Sequence, residues 1–123
     1  MFKEKFQYAV LYYIPDLKRG ENVNFGIIMQ RKERGKCEAR LKANENFSPK
    51  PDFDKRTYQK WLEYFRERIE ELKKENSQDI IASLKAEIKR PGNYNISEQG
   101  IFEAESGSLE KITEYMYQQT CGA

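Results

Sequence analysis

Histidine is missing from all 123 residues. With it go the commonest general base, the commonest metal ligand, and any Ser-His or Cys-His nucleophile. Cysteine is nearly as scarce, with only Cys37 and Cys121. A small secreted domain generally carries more, so the pair is expected to be reduced thiols in a cytoplasmic protein, and two thiols alone do not make a structural zinc centre. No apolar run is long enough to span a bilayer, and the opening stretch MFKEKFQYAVLYYIPD lacks a signal-peptide core with a small-residue cleavage site. Charge of one sign is also lacking. The 22 basic and 20 acidic residues leave +2, so no broad field attracts a polyanion, and nucleic-acid binding would need a local patch. A phosphate-cradling loop is absent too, because RGENVNFG is not the Walker pattern and its glycines precede no helix. No cofactor, metal or membrane is expected from this inventory.

What the chain does have is aromatic mass, 13% of its residues, beside 34% charged ones. Large rings let a modest core remove much surface from water. In FQYAVLYYI, Phe6, Tyr8, Val10, Tyr12 and Ile14 share one strand face, while Ala9, Leu11 and Tyr13 make the other apolar, as in a central strand. Pro15 ends it. NVNFGIIMQ reads as a second strand with Val23, Phe25, Ile27 and Met29 on one face. CEARLKA alternates cleanly, with Cys37, Ala39, Leu41 and Ala43 inward, and the short links imply an antiparallel meander.

The proline-bearing NENFSPKPDFD leaves the sheet. Tyr58, Trp61, Leu62, Phe65, Ile69 and Leu72 then fall on one helical face, capped by Asp52 or Asp54, and Trp61 is expected in the core. Ile80, Ile81, Leu84 and Ile88 mark a shorter helix stopped at Pro91 and Gly92. NYNISE returns to the sheet, GIFEAE is irregular or a further extended piece, and Ser108 caps a closing helix. The chain thus reads as one α+β domain over residues 1–123, an antiparallel sheet of about four strands with two to three helices packed on one face. Its parts are an opening three-stranded meander (about 5–44), a helical segment (about 54–90) and a C-terminal strand and helix (about 93–120).

Between the first two strands lies the polar insert PDLKRGENVN. As a site, it would gather Asp16, Arg19, Glu21 and Asn24, with Arg90 or Arg31 helping Arg19 to hold a carboxylate or phosphate. As a turn, it needs only Pro15-Asp16 to open it, Gly20 for a positive φ, and Asn24 to tie its amide to nearby backbone. Turn geometry comes first and recognition second. Asp16, Glu21, Glu98 and Glu103 are the carboxylates that would meet if the late strand lay beside the first hairpin. Lys18, Arg19, Arg31, Lys32, Arg34, Lys36, Arg40 and Lys42 supply the basic patch that a nucleotide or nucleic acid would require, or else guard an edge strand. Cys37 falls on an apolar strand face, Cys121 is expected exposed near the C-terminus, and Tyr12, Tyr13 and Tyr94 could offer a stacking surface.

Tyr8, Tyr13, Pro15, Asp16, Arg19-Gly20-Glu21, Val23-Asn24 and Gly26 together resemble the opening signature of the DUF3037 family, small bacterial proteins of unknown function. Tyr12 stands where that signature has Arg, so a charged site built on that Arg would be altered here. The resemblance implies no activity. It does imply a neighbourhood, since such proteins are often encoded beside HipA-like kinases, which points to a protein partner. The function expected from all this is a non-enzymatic interaction module that offers an exposed sheet face or edge to a partner or to a second copy. The alternative is a nucleotide or nucleic-acid binder that uses the basic hairpin region, with or without metal-dependent hydrolysis.

Overall fold

Strand β1 (Lys3–Tyr13) is apolar on both sides because it is the axis of the sheet. The computed structural model describes residues 3–15, 21–33, 35–88, 92–105 and 107–121. On one side β1 pairs antiparallel with β2 (Val23–Glu33), and β2 pairs in turn with β3 (Lys36–Ala43), giving the meander. Gly35, at φ 78°, sits between β2 and β3 in the left-handed conformation that glycine adopts without a Cβ penalty. The other side of β1 is shared by two short strands. β4 (Tyr94–Ile96) lies opposite Leu11–Tyr13 and β5 (Gly100–Glu105) opposite Lys3–Tyr8, both antiparallel. GIFEAE is therefore a true fifth strand. Gly100 faces Tyr8 so closely that an added Cβ would meet the phenol ring at 2.5 Å, and the ring covers the backbone there.

Three helices follow the expected stripes, each opened by a side-chain cap that satisfies a free N–H of the first turn. Asp54 accepts from Thr57 N at 3.1 Å before α1 (Lys55–Lys74), and it is this residue, not Asp52, that caps. Asp79 accepts from Ala82 N at 2.9 Å before α2 (Ile80–Glu87), and Ser108 from Lys111 N at 3.2 Å before α3 (Leu109–Thr120).

The helices are divided between the two faces of the sheet. Ala9, Leu11 and Ile28 face α1 and α2, with Tyr58, Leu62, Phe65, Ile69 and Leu84 packed over them. Phe6, Ile27 and Met29 point the opposite way, under Ile112 and Met116 of α3. The α+β class holds, with α1 and α2 packed together on one face as expected; the third helix packs on the reverse side, because β1 and β2 present apolar residues on both parities. α3 lies over β2 and β3 on that side, while Ile101 of β5 stays exposed.

β2 also departs from simple alternation. Leu11 pairs with Gly26 but Tyr12 pairs with Asn24, which leaves Phe25 as the extra residue of a β-bulge. The bulge turns Phe25, and Val23 beyond it, into the α1–α2 core, whereas their parity would have placed them with Ile27 and Met29. Gly26 beside it is forced by space, since a Cβ there would come within 3.0 Å of the Lys42 carbonyl and 3.2 Å of Ala43 Cβ.

Candidate functional site

α1 carries an aromatic residue off its apolar stripe. Trp61 and Phe65 lie on the stripe and Tyr64 sits beside it, half exposed at 50%. Where α1 meets α2 and the start of β4, these rings border a cleft of about 350 Å³. Leu84, Ile88 and Tyr94 complete its apolar wall, and Glu87, Gly92 and Asn93 form its polar side. The Trp61 and Tyr94 rings stack at 5.3 Å with a 25° interplanar angle, and Trp61 also lies 4.0 Å from Phe65. Trp61 is thus only part of the core: it packs against the core and lines the cleft. Burial, then the neighbouring Tyr13 and Asp54, push the Tyr94 hydroxyl up to about 12, so it stays a neutral phenol at ordinary pH.

The charges at this site are already matched. Glu87 accepts from Arg68 Nε at 2.9 Å and from the Tyr64 hydroxyl at 3.2 Å. Arg68 also pairs with Glu71, and the hydrogen bonds it donates to these two carboxylates raise its guanidinium pKa above the ordinary value. Asn93 holds the cleft to the end of β1: Ile14 N donates to its carbonyl at 2.7 Å, and its side-chain amide donates to Ile14 O at 2.6 Å.

A second polar group serves architecture. Gln30 is fully buried, donates to Asp79 Oδ1 at 2.8 Å and accepts from Ile81 N at 2.9 Å. Lys32 and Gln99 also reach Asp79, so α2, β2 and the β4–β5 link are tied at one carboxylate. Burial alone would raise the Asp79 pKa, but hydrogen bonds from Ala82 N–H, Gln30, Gln99 and Lys32 outweigh it and hold it below the usual value. Cys37 donates to Gln30 Oε1 at 3.5 Å, and burial pushes its thiol up, which suits a packed side chain more than a nucleophile.

Of the residues nominated from sequence, Asp16, Arg19 and Arg90 lie outside the described residues. Glu21 is exposed. Asn24 is exposed too, and its amide donates to Thr120 O at 3.1 Å, tying the start of β2 to the end of α3. Arg31 is engaged with Glu38 at 2.8 Å and Glu4 at 3.6 Å, and its guanidinium lies 6.0 Å from the centre of the Phe6 ring. Glu98 pairs with Lys85, and Glu103 lies 4.0 Å from Lys5, so these two carboxylates face cations. Among the described residues no group of three Cys, Asp or Glu side chains converges as a metal site would. Cys121 is half buried, not exposed, with its thiol 3.4 Å from the Gly26 carbonyl. Tyr13 is buried and unavailable for stacking; Tyr94 remains accessible in the cleft. The cleft itself was missed in the sequence, although Tyr64, an aromatic off the apolar stripe, was its signal.

A family model described as "Protein of unknown function (DUF3037)" matches residues 8–91, a span that runs from within β1 through α2 and takes in every element of the cleft except β4. No curated protein and no solved structure matches the chain. Among the described residues no helix is long and apolar enough to cross a membrane.

Proposed function

Since the chain belongs to the DUF3037 family, whose members share no assigned activity, we propose that it is a non-enzymatic accessory module that binds a protein partner or a second copy of itself in the cytoplasm. The observation that carries this proposal is the aromatic cleft between α1, α2 and β4, an apolar concavity that opens to the surface beside the half-exposed Tyr64. A HipA-like kinase is the first partner to try. The competing proposal, a nucleotide or nucleic-acid binder, is weakened by how the basic residues are used. Arg31, Lys32, Arg40 and Lys42 each face a carboxylate: Glu38, Asp79, Glu110 and Glu114. Cations so compensated release fewer counterions on meeting a phosphate backbone.

Size exclusion with light scattering, and co-expression with a HipA-like kinase from the same host, test the proposal. Self-association or retained kinase, lost in a Tyr64→Ala variant, is the result expected. A strict monomer that retains no partner, yet shifts a nucleic-acid probe at low salt, would overturn it in favour of the alternative.

A further inference from the structure

The sheet has an outer strand at each margin, and only one of the two is shielded. β3 lies beside α1, and Ala39 at its middle is 3% exposed. β5 pairs with β1 on one side only, and its Ile101 is the most exposed large apolar residue described, at 66%.

The register shows which main-chain groups the β5 edge presents. Val10 O accepts from Ser97 N at 2.9 Å and Val10 N donates to Ser97 Oγ at 2.8 Å, so the main chain of Val10 points to the β4–β5 side. Direction alternates along a strand, so Tyr8, Phe6 and Glu4 point the same way and bond their partners Gly100, Phe102 and Ala104. The N–H and C=O groups of Ile101, Glu103 and Glu105 are left facing outward. All three residues are exposed, as an open edge requires. Donors and acceptors at this two-residue spacing match the main chain of another strand. No proline or bulge interrupts the edge.

Side chains select which strand. Ile101, Glu103 and Glu105 share one face, opposite Gln7, Lys5 and Lys3 of β1. Glu103 meets Lys5 only at 4.0 Å, and Glu105 has no ion-pair partner among the described residues. A residue added opposite either would stand about 5 Å away, Cβ to Cβ, where opposite charges attract and like charges repel. A second copy is a poor match. A two-fold at Glu103 sets that carboxylate against itself, and one at Phe102 sets Ile101 against Glu103. From these observations we propose that β5 is extended by an antiparallel strand from a protein partner, with an apolar residue opposite Ile101 and Lys or Arg opposite Glu103 and Glu105. The carboxylates that deter a second copy thereby select a basic segment. This names the partner class of the interaction module and rests on that assignment, through a surface separate from the cleft.

The full chain is titrated with fluorescein-Gly-Lys-Thr-Lys-Thr-Ile-Thr-amide, followed by anisotropy, and amide exchange is read by NMR with and without the unlabelled peptide. The expected result is saturable binding that newly protects the amides of Ile101, Glu103 and Glu105, while those of Phe102 and Ala104 are protected already. Replacing both Lys by Glu should weaken binding about tenfold. N-methylating the two Lys and the Ile removes the N–H groups that face β5 and should abolish it. Equal binding of the acidic peptide overturns the charge selection, and equal binding of the N-methylated one overturns strand addition. No binding, or protection confined to other residues, overturns the site. A dimer by light scattering whose Ile101, Glu103 and Glu105 amides are protected without peptide overturns the partner in favour of a second copy. Glu103→Lys with Glu105→Lys, both at exposed positions, should reverse the preference towards the acidic peptide and leave the circular dichroism spectrum unchanged. If the peptide fails to bind while Tyr64-dependent self-association or kinase retention persists, the module stands and the edge assignment falls.

Discussion

On the α1–α2 side of the sheet, aromatic rings touch one another in a continuous path from Phe53 and Phe47 through Tyr13, Phe25 and Tyr58 to Trp61, Phe65 and Tyr94. On the α3 side the only described ring pair is Phe102 with the exposed Tyr115, over a small cluster of Phe6, Ile27, Met29, Ile112 and Met116. Ion pairs at the rim, Arg40–Glu110 at 3.4 Å and Lys42–Glu114 at 3.5 Å, fasten α3 to β3. One face is thus held by buried area and the other by a thin apolar strip with charges around it. Buried area is the stronger means, because exposed ion pairs are screened by water and salt. The family match takes in both helices of the thick face and stops before β4, β5 and α3.

This contrast can be broken or sharpened experimentally. The largest effect is expected from Phe25→Ala, which removes a fully buried ring that touches Phe47, Tyr58 and Trp61. Urea denaturation should show a loss of about 3–5 kcal/mol. Met116→Ala, on the thin side, should cost about 2 kcal/mol, the low end for such truncations, because the cluster it leaves is small and can collapse. Equal losses at the two sites would erase the distinction. Native-state hydrogen exchange asks the same question without mutation: α3 amides should open at lower free energy than those of the middle of α1.

Smaller still is the pH effect of Asp79. Its carboxyl is held below its ordinary value of 3.8, so the stability it contributes is present above that pH and is lost as pH falls through the lower folded value. Asp79→Asn keeps a capping oxygen but cannot titrate, so its acid unfolding curve should fall less steeply than the parent's below about pH 4. The least effect belongs to Arg40→Ala, for which thermal or urea unfolding should register no more than about 0.5 kcal/mol, vanishing in high salt.

The meander, the helices and their capping Asp54 and Ser108 were legible because period and cap chemistry are local properties of the chain. The face chosen by α3 was not, since an amphipathic stripe states that a helix has a buried side without naming the surface that buries it. Phe25 was misplaced for a related reason. A bulge shifts parity through pairing with another strand, and Gly26 beside it was the visible trace. The cleft was obscured because Trp61 satisfies the core periodicity, and a ring that lines both a core and an opening has the same spacing in either role. Attention went instead to the charged insert, of which Glu21 and Asn24 are described and do not converge on a common partner.

The strand around which the sheet is assembled precedes its partners in the chain, and one of its two edges is reserved for Tyr94–Ile96 and Gly100–Glu105. While the chain is being translated, β1 can zip onto β2, and β2 onto β3, early, but the other edge of β1 stays bare until those residues have been synthesised. Nascent chains stalled before that point would carry an uncapped, aromatic-rich edge of the kind that seeds mispairing between neighbours on a polysome.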